Sequence, residues 1–159
     1  MKNSYEISAS KQKQMKVGIK KLSENAIIPS YGSEFAAGAD LYACINADLQ
    51  IAPHATVLVP TGVALELPLG YAGLIYARSG LATKKGLAPA NKVGVVDCDY
   101  RGEVKVALHN HSEVMQTVSA GERVAQLVIT PYLTAEFIEK SELSQTERGA
   151  GGFGSTGAK

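Results

Sequence analysis

The sequence contains no tryptophan, few aromatic residues and no long apolar stretch. Aromatic residues make up 6% of the 159 positions, so valine, leucine, isoleucine and alanine must supply most of the core. A helix that crosses a bilayer needs about 20 consecutive apolar residues, and every apolar run here is far shorter. The composition, with 45% hydrophobic and 19% charged residues, therefore predicts one globular domain without a membrane segment.

Cysteine is also scarce. Cys44 and Cys98 lie far apart in the sequence and form no C-x-x-C pair. Neither a disulfide framework nor a zinc site is indicated by two such residues. A reduced setting inside the cell, cytoplasmic or, in a eukaryote, nuclear, is the simplest expectation.

An excess of charge of one sign is missing as well, because the net charge is +1. The balance does not favour a nucleic-acid binder. The charge is uneven, however: residues 1–22 contain six lysines and one acid. Residues 1–15 are polar, lack the apolar core of a secretory signal, and are interpreted as a flexible basic N-terminal extension.

Short apolar runs typical of β-strands dominate what is present. In EVKVALHN, the side chains of Val104, Val106 and Leu108 share one face, and Lys105 lies on the other. ATVLVPTGVALELP shows a similar alternation around Pro60 and Gly62, and further runs are GYAGLIYA, NKVGVVDC and RVAQLVITPYL. Many short strands separated by glycine and proline predict an all-β sandwich or barrel.

One stretch, ARSGLATKKG, differs from the rest. Ser79 is typical of a helix N-cap and Gly86 of a helix stop, which predicts a helix of about two turns. The start of this helix would present free backbone N–H groups beside Arg78, a combination that binds anions. Ser79 has no G-x-S-x-G frame, so contact with phosphate is a better interpretation than a serine nucleophile.

The C-terminal stretch RGAGGFGSTG, residues 148–157, contains five glycines in ten residues. It lacks the lysine of a Walker A loop, which excludes a P-loop. Composition alone favours a flexible tail over an arm that a ligand orders. Either way the segment carries Arg148 and Phe153.

Acidic and aromatic residues interrupt the strand pattern in GVVDCDYRGEVKV, residues 94–106. Asp97 and Asp99 would share a face in a regular strand, but DYRG is typical of a turn, which would divert Asp99. By themselves these acids are most simply turn residues, and Tyr100 fits either the core or the floor of a pocket. His109 and His111 also share a strand face, although two ligands are too few for a convincing metal site.

Together, an anion-binding helix start, an acidic hairpin with an aromatic residue and a glycine-rich arm suit a nucleotide polyphosphate. The sequence resembles the homotrimeric dUTPases, whose five motifs occur here in order over residues 16–157. They are AGADLYA from Ala37, RSGLA from Arg78, NKVGVVDCDYRG from Asn91, GERVAQLVI from Gly121 and RGAGGFGSTG from Arg148. Two departures are Ala77, where the family usually has proline, and Val96, where isoleucine is common.

The resemblance implies a distorted jelly-roll-like β-barrel or sandwich with one short helix, over residues 16–147. A flexible glycine-rich arm, residues 148–159, would close over the active site. It also implies a homotrimer whose three sites are shared between chains. The expected reaction is hydrolysis of dUTP to dUMP and pyrophosphate, which keeps uracil out of DNA and supplies dUMP for thymidylate synthesis. A relative of dCTP deaminase and an inactive nucleotide-binding regulatory trimer are the alternatives.

Residue roles follow from the resemblance. Asp97 matches the catalytic acid that activates a water, and Tyr100 matches the residue packed against the deoxyribose. The hairpin would bind uracil (Asn91, Gly94, Val95, Val96), and the returning strand would add a substrate contact through its backbone (Lys105). Other residues would bind phosphates (Arg78, Ser79, Gly80, Gln126) or belong to the closing arm (Arg148, Phe153, Gly154, Ser155). Asp40 would support the site. Mg²⁺ is expected on the triphosphate and waters rather than on protein ligands.

Overall fold

Eleven β-strands and one helix form the part of the chain that the computed structural model describes, residues 15–152. The strands are β1 (Gly18–Lys21), β2 (Ser30–Tyr31), β3 (Ala39–Tyr42), β4 (Leu49–Ile51), β5 (Thr56–Glu66), β6 (Tyr71–Tyr76), β7 (Leu87–Pro89), β8 (Gly94–Val96), β9 (Glu103–Asn110), β10 (Gln116–Val118) and β11 (Arg123–Pro131). The helix, α1 (Ser79–Lys85), connects β6 to β7.

The strands form two main sheets and one small one. One main sheet has the order β1-β5-β9-β7, the other has the order β2-β3-β11-β6-β8, and β10 pairs with β4. Every pairing is antiparallel. The sheets do not close on themselves, so the predicted all-β, jelly-roll-like fold is confirmed in its sandwich form.

Apolar side chains from both main sheets form the core. Val104, Val106 and Leu108 of β9 are each at most 2% exposed, which confirms the alternation predicted for that strand. The regular alternation predicted for β5 is wrong, because residues 61–65 are buried without a break. The pairing of β5 with β9 shifts between Pro60 and Ala64, and this irregularity carries successive side chains out of the ordinary two-sided pattern.

The predicted helix forms, but its first residue differs. Arg78 is the N-cap, with extended backbone and no side-chain capping bond, so Ser79 is the first helical residue rather than the cap. Gly86 ends the helix in a left-handed conformation with φ of 67°, as predicted for a C-cap. Leu81 anchors the helix to the core. In the described range, no helix has the length and apolar character needed to span a bilayer.

The chain between β11 and residue 152 forms neither a helix nor a strand. Its large apolar side chains lie open to solvent, with Leu133 98%, Phe137 95% and Leu143 83% exposed. We call residues 132–152 the C-terminal segment. A single chain therefore leaves apolar surface on this segment uncovered.

Candidate functional site

A pocket of about 310 Å³ lies between the hairpin that contains β8 and the neighbouring strand β9. The structure brings together there all seven residues predicted for the acidic hairpin and its returning strand. These are Asn91, Gly94, Val95, Val96, Asp97, Tyr100 and Lys105. Leu58, Ile75, Glu103 and Val104 complete the walls. The hairpin therefore forms part of the wall of a concave pocket.

Strand β8 forms one wall as the edge strand of its sheet. Gly94 pairs with Ile75, and Val96 pairs with Gly73, both on β6. The opposite edge of β8 has no partner strand within residues 15–152, so it offers backbone donors and acceptors to a ligand. A Cβ at Gly94 would come within 3.2 Å of Asn91 Nδ2, so glycine lets the amide of Asn91 lie close against this strand.

A turn at residues 97–100 separates the two acids. The backbone N–H of Tyr100 donates to the carbonyl of Asp97 at 3.2 Å, and Arg101 NH1 donates to the carbonyl of Cys98 at 2.7 Å. Asp97 lines the pocket, whereas Asp99 does not. The turn that diverts Asp99 lies two positions before DYRG, the stretch from which it was predicted. Both carboxylates remain exposed to solvent.

Cys98 connects the turn to the start of the C-terminal segment. Its half-buried side chain packs against the core, and its Sγ lies 3.4 Å from Tyr132 Oη. The hydrogen bond to Cys98 raises the pKa of the Tyr132 phenol, and the charges of Asp97 and Asp99 add to the effect. The phenol beside the turn therefore keeps its proton to higher pH than a free tyrosine does.

A second group of predicted residues surrounds the start of α1. Asp40 on β3 is 9% exposed, and each of its oxygens accepts a hydrogen bond from an arginine. Arg78 Nε donates to Oδ1 at 2.7 Å, and Arg123 NH1 donates to Oδ2 at 3.1 Å. The carboxylate therefore fixes Arg78 beside the exposed residues Ser79 and Gly80.

Arg123 was missed by the sequence analysis. It lies within GERVAQLVI, but its partner Asp40 is 83 positions away in the chain. Only the pairing of β11 with β3, which sets Arg123 opposite Tyr42 and Gln126 opposite Asp40, brings the two together. An arginine at the start of a strand inside a recognised motif was the available signal.

The side chain of Gln126 contacts the backbone just before Arg78. Its Nε2 donates to the carbonyl of Ala77 at 2.8 Å. A carbonyl is present whichever residue occupies position 77, so the replacement of the usual proline by alanine leaves this contact available. A Cβ at Gly38 would lie 2.7 Å from Gln126 Oε1, which shows how tightly this side chain is enclosed.

The two groups do not share one pocket within the single chain. Asp40, Arg78, Ser79, Gly80 and Gln126 are absent from the walls of the hairpin pocket, and so is Arg148. The Arg148 side chain is exposed, and its Nε donates to the carbonyl of Gly151 at 2.8 Å. The other predicted arm residues, Phe153, Gly154 and Ser155, lie outside the described residues.

The three histidines lie near one another at the protein surface. The rings of His109 and His111 lie 4.4 Å apart, His109 Nδ1 is 2.9 Å from Thr56 Oγ1, and His54 bonds to Glu113. Partial desolvation, helped by the neighbouring cationic groups, lowers the pKa of His111. Across residues 15–152, no three histidine, cysteine or acidic side chains are arranged to hold a metal ion.

Comparison with known proteins gives consistent results. The family model described as dUTPase matches residues 24–157. A deoxyuridine 5'-triphosphate nucleotidohydrolase of Hydrogenobaculum sp. (strain Y04AAS1) is 50% identical over 145 residues, covering 91% of this chain and 100% of that protein. The enzyme of the same name from Nautilia profundicola is 51% identical over 143 residues, covering 90% of this chain and 99% of that protein.

A solved structure shows the same architecture. The dUTPase of Staphylococcus bacteriophage 80alpha, solved with dUpNHpp, superimposes with a TM-score of 0.83 at 29% identity. The match covers 91% of this chain and 99% of that one. The similarity therefore extends over almost the whole chain rather than over a single motif.

Proposed function

The chain belongs to the dUTPase family and hydrolyses dUTP to dUMP and pyrophosphate, and we propose how its two residue groups divide that reaction. The observation that carries the proposal is the hairpin pocket, where a strand edge, a carboxylate and an aromatic ring meet. The hairpin group would bind the deoxyuridine and activate water. The group around α1 would bind the phosphates.

Uracil recognition is assigned to the free edge of β8 together with Asn91. Backbone N–H and C=O groups on this edge can pair with the uracil ring as a partner base would. Cytosine reverses the donor and acceptor pattern and would leave buried polar groups unpaired, a mismatch that costs up to about 10⁴-fold in specificity. Val95 and Val96 enclose the ring by shape, and the backbone of Lys105 adds contact from β9.

Asp97 is assigned the role of general base. Its carboxylate lines the pocket and is open to solvent, so a water can lie within hydrogen-bond reach of both the carboxylate and the substrate. A base acts on a water only at such a distance. The activated water would attack the α-phosphorus, and pyrophosphate would leave. Tyr100, on the same turn, would pack against the deoxyribose.

Phosphate binding is assigned to Arg78, the backbone N–H groups of Ser79 and Gly80, and Gln126. Asp40 binds Arg78 through Nε, and Nη1 of Arg78 donates to the carbonyl of Arg123 at 3.4 Å. The guanidinium is thus held in place, and Nη2 would bind the phosphate oxygens. Donors that are fixed before the substrate arrives need no reorganisation as charge develops on the phosphates. Arg123 adds a second positive charge beside the same carboxylate.

We further propose that the complete site forms between chains of a homotrimer. Two observations support this assembly. The residues around the start of α1 lie outside the hairpin pocket of their own chain, and the C-terminal segment exposes Leu133, Phe137 and Leu143. Apolar surface of this kind is typical of a protein interface. The arm would contribute Arg148 and Phe153 to a site on another chain, and an isolated monomer would be inactive.

Mg²⁺ is proposed to bind with the substrate rather than to a cage of protein ligands. Asp40 is the buried acidic residue near the start of α1, and both of its carboxylate oxygens already accept hydrogen bonds from arginines. Mg²⁺ retains its waters and commonly binds to substrate phosphates, so these residues fit an ion carried by the triphosphate. There it would neutralise phosphate charge.

A nucleotide panel tests the proposal. Purified protein is assayed with dUTP, UTP, dTTP and dCTP, each with Mg²⁺, for pyrophosphate and nucleoside monophosphate. We expect dUTP to give dUMP, and the other three to have kcat/KM values lower by about 10²-fold or more. Ammonia release from dCTP would favour the deaminase alternative. Binding of dUTP without turnover would favour the regulatory one.

A further inference from the structure

The ring of Tyr100 folds back over the backbone of Gly102. A Cβ built at Gly102 would overlap Tyr100 Oη and would lie 2.5 Å from Cζ and 2.9 Å from Cε2. Distances below 3.0 Å are essentially never observed for a real Cβ. The observed position of the ring is therefore available only because residue 102 has no side chain.

The need for glycine at this position is one of space rather than of backbone conformation. Gly102 is absent from the residues with positive φ, which include Gly62, Gly70 and Gly86. Its backbone therefore lies outside the left-handed region that favours glycine. A substitution at position 102 would act through the neighbouring ring and not through local strain.

A hydrogen bond fixes the other end of the ring. Tyr100 Oη donates to the carbonyl of Glu103 at 3.0 Å. Glu103 is itself held in place, since its Oε1 accepts from the backbone N–H of Gly62 at 2.9 Å and its Oε2 lies 3.4 Å from Lys105 Nζ. Because Tyr100 is 47% exposed, this bond and the contact with Gly102 hold a ring that surrounding atoms only partly enclose.

We propose that Gly102 is a positioning residue that sets the discrimination between 2'-deoxyribose and ribose through the placement of Tyr100. The inference rests on the proposed function, in which Tyr100 packs against the sugar. With no side chain at position 102, the ring lies back against the turn and forms the pocket wall at a fixed depth. A methyl group at position 102 would push the Tyr100 ring out of this position.

The overlap falls on the far end of a half-exposed side chain, so the ring can move without displacing the core. The Gly102→Ala variant is therefore expected to fold normally with a misplaced ring. A displacement of about 1 Å in a positioning group can cost up to 10²-fold in rate. The displaced ring would no longer match the shape of the deoxyribose, which would weaken the preference for deoxyribose over ribose.

The experiment measures kcat/KM for dUTP and for UTP in the wild type, Gly102→Ala and Gly32→Ala. Gly32 is the matched control, because a Cβ there meets no atom within 4 Å and its φ is not positive. We expect the dUTP/UTP ratio to fall about tenfold or more in Gly102→Ala and to stay unchanged in Gly32→Ala. An equal loss for both nucleotides, with an unchanged ratio, would overturn the inference.

A double-mutant cycle shows whether Gly102 acts through the ring. On the Tyr100→Ala background, Gly102→Ala should have no further effect on the ratio, since the group it displaces is gone. An additive effect would contradict the proposal. A crystal structure of Gly102→Ala gives a test that does not depend on activity: an unmoved Tyr100 ring overturns the inference, whereas a wild type unable to hydrolyse dUTP overturns the proposed function alone.

Discussion

The hairpin pocket and the C-terminal segment represent opposite ways of building a site. The pocket is made by regular strands, with Gly94 and Val96 paired to β6 and with Val104 buried in β9. The C-terminal segment has no regular structure and exposes its apolar side chains. The difference fits the proposal that one chain provides the base-binding pocket and that another copy closes the site.

The largest expected effect on turnover comes from a substitution in the hairpin pocket. Asp97→Asn removes the proposed base while keeping the size of the side chain, so kcat should fall by about 10²–10⁴-fold. Binding of dUTP and the fold should be retained, because Asp97 is exposed and supports no core contact. Pyrophosphate release and calorimetric binding of dUpNHpp provide the measurements.

Asp99→Asn is the matched control for this substitution. Asp99 has the same charge, lies two positions away and does not line the pocket. Its turnover should remain near that of the wild type. Equal losses in the two variants would show that general charge near the turn, rather than a base at position 97, supports turnover.

A smaller effect is expected from removal of the C-terminal arm. Deletion of residues 148–159 should lower kcat/KM for dUTP by about 10–10²-fold, because the arm would no longer position the phosphates. The melting temperature should not change, since residues 148–150 are exposed. A shorter deletion, residues 156–159, keeps every predicted contact residue of the arm and should be fully active. Full activity of the longer deletion would remove the arm from the site.

The smallest effect on the stability of an isolated chain is expected from a substitution at Phe137. Its side chain is 95% exposed, so Phe137→Ser should change the stability of an isolated chain by no more than about 0.5 kcal/mol. Self-association, followed by sedimentation over a range of concentrations, should weaken, and activity should fall on dilution. Val114→Ser, at another exposed apolar position, is the control. Unchanged association of Phe137→Ser would separate the segment from the interface.

Local patterns in the sequence predicted much of the fold and of the pocket. The alternation in β9 and the stop at Gly86 depend on neighbouring residues, and the structure contains both. The turn after β8 is also present, two positions earlier than predicted. Errors appeared where neighbours do not decide the geometry. The irregular pairing of β5 with β9 disturbed the expected alternation, and the helix begins with Arg78 as its cap.

Contacts between distant residues could not be predicted in the same way. The pairing of Asp40 with Arg123 depends on strand register, which one sequence specifies only weakly. The contact of Gly102 with Tyr100 is close in sequence, but it depends on the direction of one aromatic ring. The roles of the predicted site residues stay predictions, although the hairpin residues do lie in one pocket.

The open edge of β8 has a consequence for solubility. An unpaired strand edge is a template on which another chain can add, and proteins usually blunt such edges. An edge that reads a base must remain accessible, so it cannot be covered permanently. Here the strand is three residues long and is flanked by the charged residues Lys92 and Asp97. A short edge next to charged residues can pair with a small heterocycle, but it offers too few backbone hydrogen bonds for another strand to add stably.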